Sequence, residues 1–150
     1  MKQFKSIIGA ISLVALLGMA ACSSSDDAAN DALKDAGVSG DIDTGGDLPK
    51  DFPSDVAVPE LGFETGVGLE GTFTLRYTSE DPAADVAAYR SALEAGGFTI
   101  ANDFDNLADP ATGGNVGFIG TSSAWTVTVS AFGPDAPGGG DYMAVVVAPV

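Results

Sequence analysis

Cys22 is the one thiol of this 150-residue chain, and the chain has no histidine. Histidine is the usual general base near neutral pH and the commonest metal ligand, so neither role has its ordinary holder. Ser-His and Cys-His nucleophile pairs are excluded. A single cysteine also leaves no intrachain disulfide to form. A Ser-Lys dyad would have to use Lys34 or Lys50, and both lie in segments that read as spacer or extended lead-in. The run Gly138-Gly139-Gly140 leads into a strand and has no Lys after it, so it lacks the parts of a phosphate-binding loop. Asp41, Asp43 and Asp47 suggest a calcium loop, which needs Asp or Asn at its fifth position and an acid at its twelfth. Counted from Asp41, those positions are Gly45 and Phe52. Asp103, Asp105 and Asp109 fail likewise, with Leu107 at the fifth position. Both clusters read as solvated loops. Paired carboxylates of the glycosidase type need two acids on a rigid frame, and most acids here fall in spacer and turns. The inventory is that of a protein that is not an enzyme, with no cofactor and no metal site.

Four aromatic residues, Tyr77, Tyr89, Trp125 and Tyr142, could line a binding face. The simpler account of each is a core or half-buried sheet aromatic. Charge bounds the partners. All 21 acidic residues follow Cys22, whereas Lys2 and Lys5 precede it. Cleavage before Cys22 would leave 4 basic and 21 acidic residues, a net charge of −17. Such a chain is repelled by nucleic acid and by anionic headgroups. Solubility is the first reading of that charge, with a salty habitat and cation binding behind it. A hydrophobic content of 45% and 20 glycines suit a small β-rich domain rather than a disordered chain.

The N-terminus carries an address. Lys2 and Lys5 make a positive start, Ile7 to Leu17 is an uncharged apolar run, and Gly18 to Ala21 are small residues or Met. That order is a secretory signal peptide over residues 1–21. The uncharged stretch from Ile7 to Cys22 has sixteen residues, short of the roughly 20 that span a bilayer. Met19-Ala20-Ala21-Cys22 resembles the lipobox of bacterial lipoproteins, with Met19 where Leu is most common. The resemblance implies cleavage between Ala21 and Cys22, and a diacylglyceryl group on the Cys22 sulfur. The other reading is an ordinary signal peptide cut near Ala21, leaving Cys22 a free thiol. The lipoprotein resemblance places the chain in the cell envelope, lipid-anchored on the extracytoplasmic side. Ser23, as a non-Asp residue after the cysteine, implies the outer membrane in a cell with two membranes. In a cell with one, the anchor lies in the cell membrane.

Residues 22–47 read as an acidic flexible tether, rich in Ser, Asp, Gly and Ala. Too little apolar surface is available there to offset ordering entropy. A brief helix near Asp27 to Ala36, capped by Asp26 or Asp27 and ended by Gly37, is compatible with it. The globular domain spans 48–150. Pro49, Pro53 and Pro59 alternate with Phe52, Val56 and Val58, which predicts an extended lead-in draped over the core. Gly62 to Leu69 predicts a weak strand, and Glu70-Gly71 a hairpin turn. Thr72 to Thr78 predicts a strong strand, with Phe73, Leu75 and Tyr77 on one face. A helix opens at Asp81 with Pro82 in its first turn. Its apolar stripe is Val86, Tyr89 or Arg90, Ala92 and Leu93, and Gly96-Gly97 ends it. Strands follow from Phe98 to Asn102, Asn115 to Thr121, Trp125 to Phe132 and Tyr142 to Ala148, with a long turn over Gly133 to Gly140. The fold class is therefore α+β: an antiparallel sheet in the order ββαββββ, with one helix packed on a face.

A second resemblance lies between Pro49 and Phe98. Asp51-Phe52-Pro53-Ser54-Asp55-Val56, Tyr77-Thr78-Ser79-Glu80-Asp81 and Asp85 to Phe98 are similar to the pattern of a group of small bacterial envelope domains of unknown function. It covers about two fifths of the mature chain and implies the fold more than any activity. Together with the anchor, it leads to the expectation of a membrane-anchored lipoprotein whose domain binds an envelope protein partner. The alternative is a lipoprotein that presents a small ligand or cation at the surface.

Overall fold

The computed structural model describes residues 25–44, 46–103, 115–133 and 141–150. The signal peptide, Ala21, Cys22, Asp105, Asp109 and the turn residues after Gly133 lie outside them. In chain order the elements are α1 (Ser25–Asp35), β1 (Gly40–Asp43), β2 (Phe63–Leu69), β3 (Thr72–Thr78), α2 (Pro82–Ala95), β4 (Thr99–Asp103), β5 (Asn115–Thr121), β6 (Trp125–Phe132) and β7 (Tyr142–Pro149). The strands form one antiparallel sheet in the order β1-β2-β3-β7-β6-β5-β4. The architecture is α+β. Ahead of the expected strand-strand-helix series stand α1 and β1, in the stretch read above as tether.

Each element follows from local chemistry. In β3, Phe73, Leu75 and Tyr77 are buried, while Thr72, Thr74 and Thr78 are exposed, as a period of two requires. In α2 the Asp81 carboxylate accepts the Ala84 N–H at 3.1 Å, and Pro82 opens the helix, where a missing N–H costs nothing. At its far end Gly97 adopts a left-handed φ of 88°. The Gly97 and Phe98 N–H groups reach back to the Glu94 and Leu93 carbonyls, the paired closure of a Schellman motif. Strand β2 turns into β3 through Glu70 (φ 50°) and Gly71 (φ 82°). Two successive left-handed residues are the geometry that matches strand twist in a two-residue hairpin. Gly66 and Gly68 are buried on the core side of β2, and the Pro49 ring lies there. A methyl on Gly66 would stand 2.8 Å from that ring. The weak strand is thus a groove for the proline-rich lead-in.

The core lies between the sheet and α2. Val86, Tyr89 and Leu93 of the helix pack with Val127, Val129, Met143, Val145 and Phe118 of the central strands. All neighbouring strands are antiparallel, so β3 and β4 run the same way with three strands between them. The chain must cross the face to join them. The crossing is α2, which lies over β5, β6 and β7. The lead-in covers the rest of that face, with Phe52 edge-on to Phe73 at 5.4 Å.

Leu93 is 0% exposed. Leu93→Ala is expected to lower the unfolding free energy by about 2–5 kcal/mol, measured by urea titration. Glu70→Gly should raise it by about 1 kcal/mol, since a left-handed non-glycine residue is disfavoured by that order. The check is a midpoint shift at constant slope.

Candidate functional site

The sheet has a covered face and an open one, and register separates them. Beyond β2, on the side away from α2, four rows cross the central strands. Thr74, Val146, Thr128 and Ile119 make one; Arg76, Ala144, Ser130 and Gly117 the next. Ala148, Thr126 and Thr121 lie on one side of these, and Thr78, Tyr142, Phe132 and Asn115 on the other. Strands β3, β5, β6 and β7 contain no acidic residue and one base, Arg76, in a chain with 21 acids. The open face is therefore nearly uncharged, and most of its Thr, Ser, Ala and Gly positions lie away from Arg76, Tyr142 and Phe132.

Its one charged feature is tied down. The Arg76 Nε–H donates to Glu64 Oε2 at 2.6 Å, and the guanidinium sits 4.1 Å from the Tyr142 ring centroid. Phe132 stacks on the same ring at 4.8 Å. Glu64, Arg76, Tyr142 and Phe132 thus make a ridge across four strands, each flat group resting on the next.

The four aromatics singled out from sequence do not share a surface. Tyr77 is 1% and Tyr89 3% exposed, and both belong to the core. Tyr77 packs edge-on against Phe63 at 5.5 Å. The Tyr89 hydroxyl donates to the Ala57 carbonyl at 2.8 Å and so pins the lead-in to α2. Trp125 shares the covered face with Val127 and is half-buried. Its indole N–H points at both oxygens of Asp55, at 3.1 and 3.2 Å. Tyr142 alone stands on the open face. Alternation puts Tyr77 inward with Phe73 and Leu75, so that part was readable. Sorting Trp125 from Tyr142 required knowing which face each strand turns to α2.

Two concavities flank the sheet and its helices. One of about 380 Å³ lies between the lead-in and α2, lined by Val58, Leu61, Tyr89 and Ala92 with Glu60 and Asp85. The Asp85 carboxylate accepts the buried Ser79 hydroxyl at 2.6 Å. The other, of about 730 Å³, is lined by charged side chains of α1, β1 and the lead-in, among them Asp31, Lys34, Asp41 and Lys50, together with Phe73 and Trp125. Among the described residues no three acids gather in a way that could hold a metal ion, and no helix is long and apolar enough to cross a membrane.

Burial raises the Tyr77 phenol from the ordinary 10.0 to about 12. Burial, and then its neighbour Tyr77, push Tyr89 up as well. Both hydroxyls keep their protons at physiological pH, as the Tyr89 donation requires. A raised folded-state pKa means that the unfolded chain ionises first as pH climbs. Folding stability should therefore show no loss from these phenols below pH 10.0, then fall as pH rises toward about 12. Denaturant titrations across that range check it, with phenolate absorbance read in parallel.

No family model matches the chain, and neither a curated protein nor a solved structure matches it.

Proposed function

We propose that this chain is a lipoprotein of a bacterial cell envelope, and that its domain docks a protein partner through the open sheet face. Export through residues 1–21, cleavage between Ala21 and Cys22, and acylation of Cys22 would leave it on the extracytoplasmic side. Buried acyl methylenes contribute about 0.8 kcal/mol each, so two or three chains hold a domain without a spanning helix. In a cell with two membranes Ser23 favours the outer one; in a cell with one, the anchor lies in the cell membrane.

The observation that carries the docking reading is the charge pattern of the sheet. A face whose one carboxylate, Glu64, is paired with Arg76 can be covered without burying an unpaired charge, whose desolvation is costly. Elsewhere the acids repel nucleic acid and anionic lipid, which leaves a protein as the partner class. A second reading, binding of a small ligand or cation, is supported by the cavity between the lead-in and α2, where Glu60 and Asp85 join an apolar lining. The residue inventory favours no enzymatic role, and the reading needs no cofactor.

The test is a cross-linked pull-down in cells, with three chains compared. The wild type should take up a labelled fatty acid and fractionate with membranes. Cys22→Ala should lose both the label and the membrane fraction. Thr128→Glu with Ser130→Glu should keep the label and the thermal melt but lose the cross-linked partner. A partner retained by that double variant would sink the face as the docking surface. An unlabelled wild type would sink the anchor.

A further inference from the structure

We propose that α1 and β1 form a releasable strap, whose docking at the edge of the sheet is set by ionic strength. This goes beyond the docking face, and its effect on reach rests on the lipid reading of Cys22.

The strap has a small anchorage of its own. Leu33 is 5% and Ile42 9% exposed, yet neither belongs to the core cluster beneath α2. Register puts Ile42 with Val67 on the side of the sheet away from α2, and Leu33 lies beside Gly40 on that side. Gly40 and Ile42 pair with Leu69 and Val67 of β2, and a side chain at Gly40 would run into Leu69 and Leu33. Leu69 in turn pairs with Thr72, which shares the open side with Thr74. Helix α1 therefore lies against β1, with Leu33 beside Gly40 at the Leu69 end of β2. Strand β1 covers the backbone edge of β2 from Gly66 to Leu69.

Polar side chains hold the strap in register. The Asn30 amide accepts the Ile42 N–H at 2.8 Å and donates to the Ile42 carbonyl at 3.1 Å. It substitutes for the neighbouring strand that an edge residue lacks. The Asp26 carboxylate takes the Thr44 hydroxyl at 2.6 Å and its N–H at 3.2 Å. The Lys50 N–H donates to Asp41 at 3.0 Å. These bonds are exposed or half-buried, where water competes for every partner.

Charge works against docking. Seven aspartates lie between Ser25 and Asp47 with one base, Lys34. The Lys34 ammonium is engaged within α1, 3.3 Å from Asp31. The groove beside the strap adds Asp51 and Glu70 against Lys50. Docking thus gathers like charges. Added salt shortens their reach from about 30 Å at 0.01 M to about 3 Å at 1 M. A short strand, two isolated apolar side chains and a repulsive field make a unit that opens locally while the core stays closed.

Release would change two things at once. It frees the β2 edge and Leu69, lengthening the open face. It also converts the anchor from a two-residue link, Ser23-Ser24, into a spacer of about 25 residues, with a root-mean-square span of about 25–30 Å.

Amide hydrogen exchange on the full mature chain tests this, in lipid vesicles and in the unanchored Cys22→Ala form. Amides of α1 and β1 are expected to exchange at least about tenfold faster than those of β6 and β7, as a locally opening unit does. Their protection should rise with salt while that of β6 and β7 stays level. Asn30→Ala should abolish most protection in α1 and β1 only. Should that variant fold poorly, Asn30→Asp removes the donor to Ile42 and keeps the shape. Equal protection of strap and core, or protection in the strap that ignores salt, overturns the proposal. Because the unanchored form gives the same reading, failure of the strap is separable from failure of the lipid anchor.

Discussion

Strand β7 pairs with β3 along one edge and with β6 along the other, and the sheet is one body because of it. Without β7 the chain has a β2–β3 hairpin with β1 at its side, and a separate β4–β5–β6 meander. Met143, Val145 and Val147 point from β7 into the core and are each 0% exposed. They sit where the two parts meet beneath α2. The helix is placed by the same constraint. With β7, β6 and β5 filling the space between β3 and β4, the β3–β4 connection has a sheet's width to cross. A helix of about four turns, near 20 Å at 1.5 Å per residue, is that bridge, and its buried stripe seals the strands it passes over.

Segregation of charge follows from this arrangement. Strands favour β-branched and aromatic residues, and β3, β5, β6 and β7 are built mostly of these with small residues between them. The acids fall instead in α1, β1, the lead-in, the turns and α2, with Asp103 at the end of β4. The one carboxylate brought to the open face, Glu64, is matched by Arg76. At that exposure the ion pair itself contributes little stability. Its effect is positional, fixing the guanidinium over Tyr142.

Much of the sheet was legible because burial and period agree. Strands β3 and β6 alternate cleanly, and their limits in the structure match those read from Thr72–Thr78 and Trp125–Phe132. Helix α2 announced both ends, Asp81-Pro82 at one and Gly96-Gly97 at the other. Strand β1 and the docking of α1 were not legible, because what holds them is side chain to backbone. Asn30, Asp26 and Asp41 are residue types that an acidic spacer also contains, and nothing in their spacing names Ile42, Thr44 or Lys50 as partners. The open face was half legible. Its Thr and Ser residues could be assigned to one side of each strand, but the rows they form depend on β7 lying between β3 and β6. That is a long-range pairing which no local pattern encodes.

The central place of β7 also sets an order of events during synthesis. A chain emerges from the ribosome N-terminus first, so β3 appears about 65 residues before the strand that completes it, or several seconds at typical synthesis rates. Through that interval the inner edge of β3 carries unpaired backbone groups beside Phe73, Leu75 and Tyr77. Sheets of this kind fold slowly, because distant segments must meet before their contacts stabilise anything. A sheet whose middle strand follows all its neighbours in the chain stays in two parts until that strand has been made.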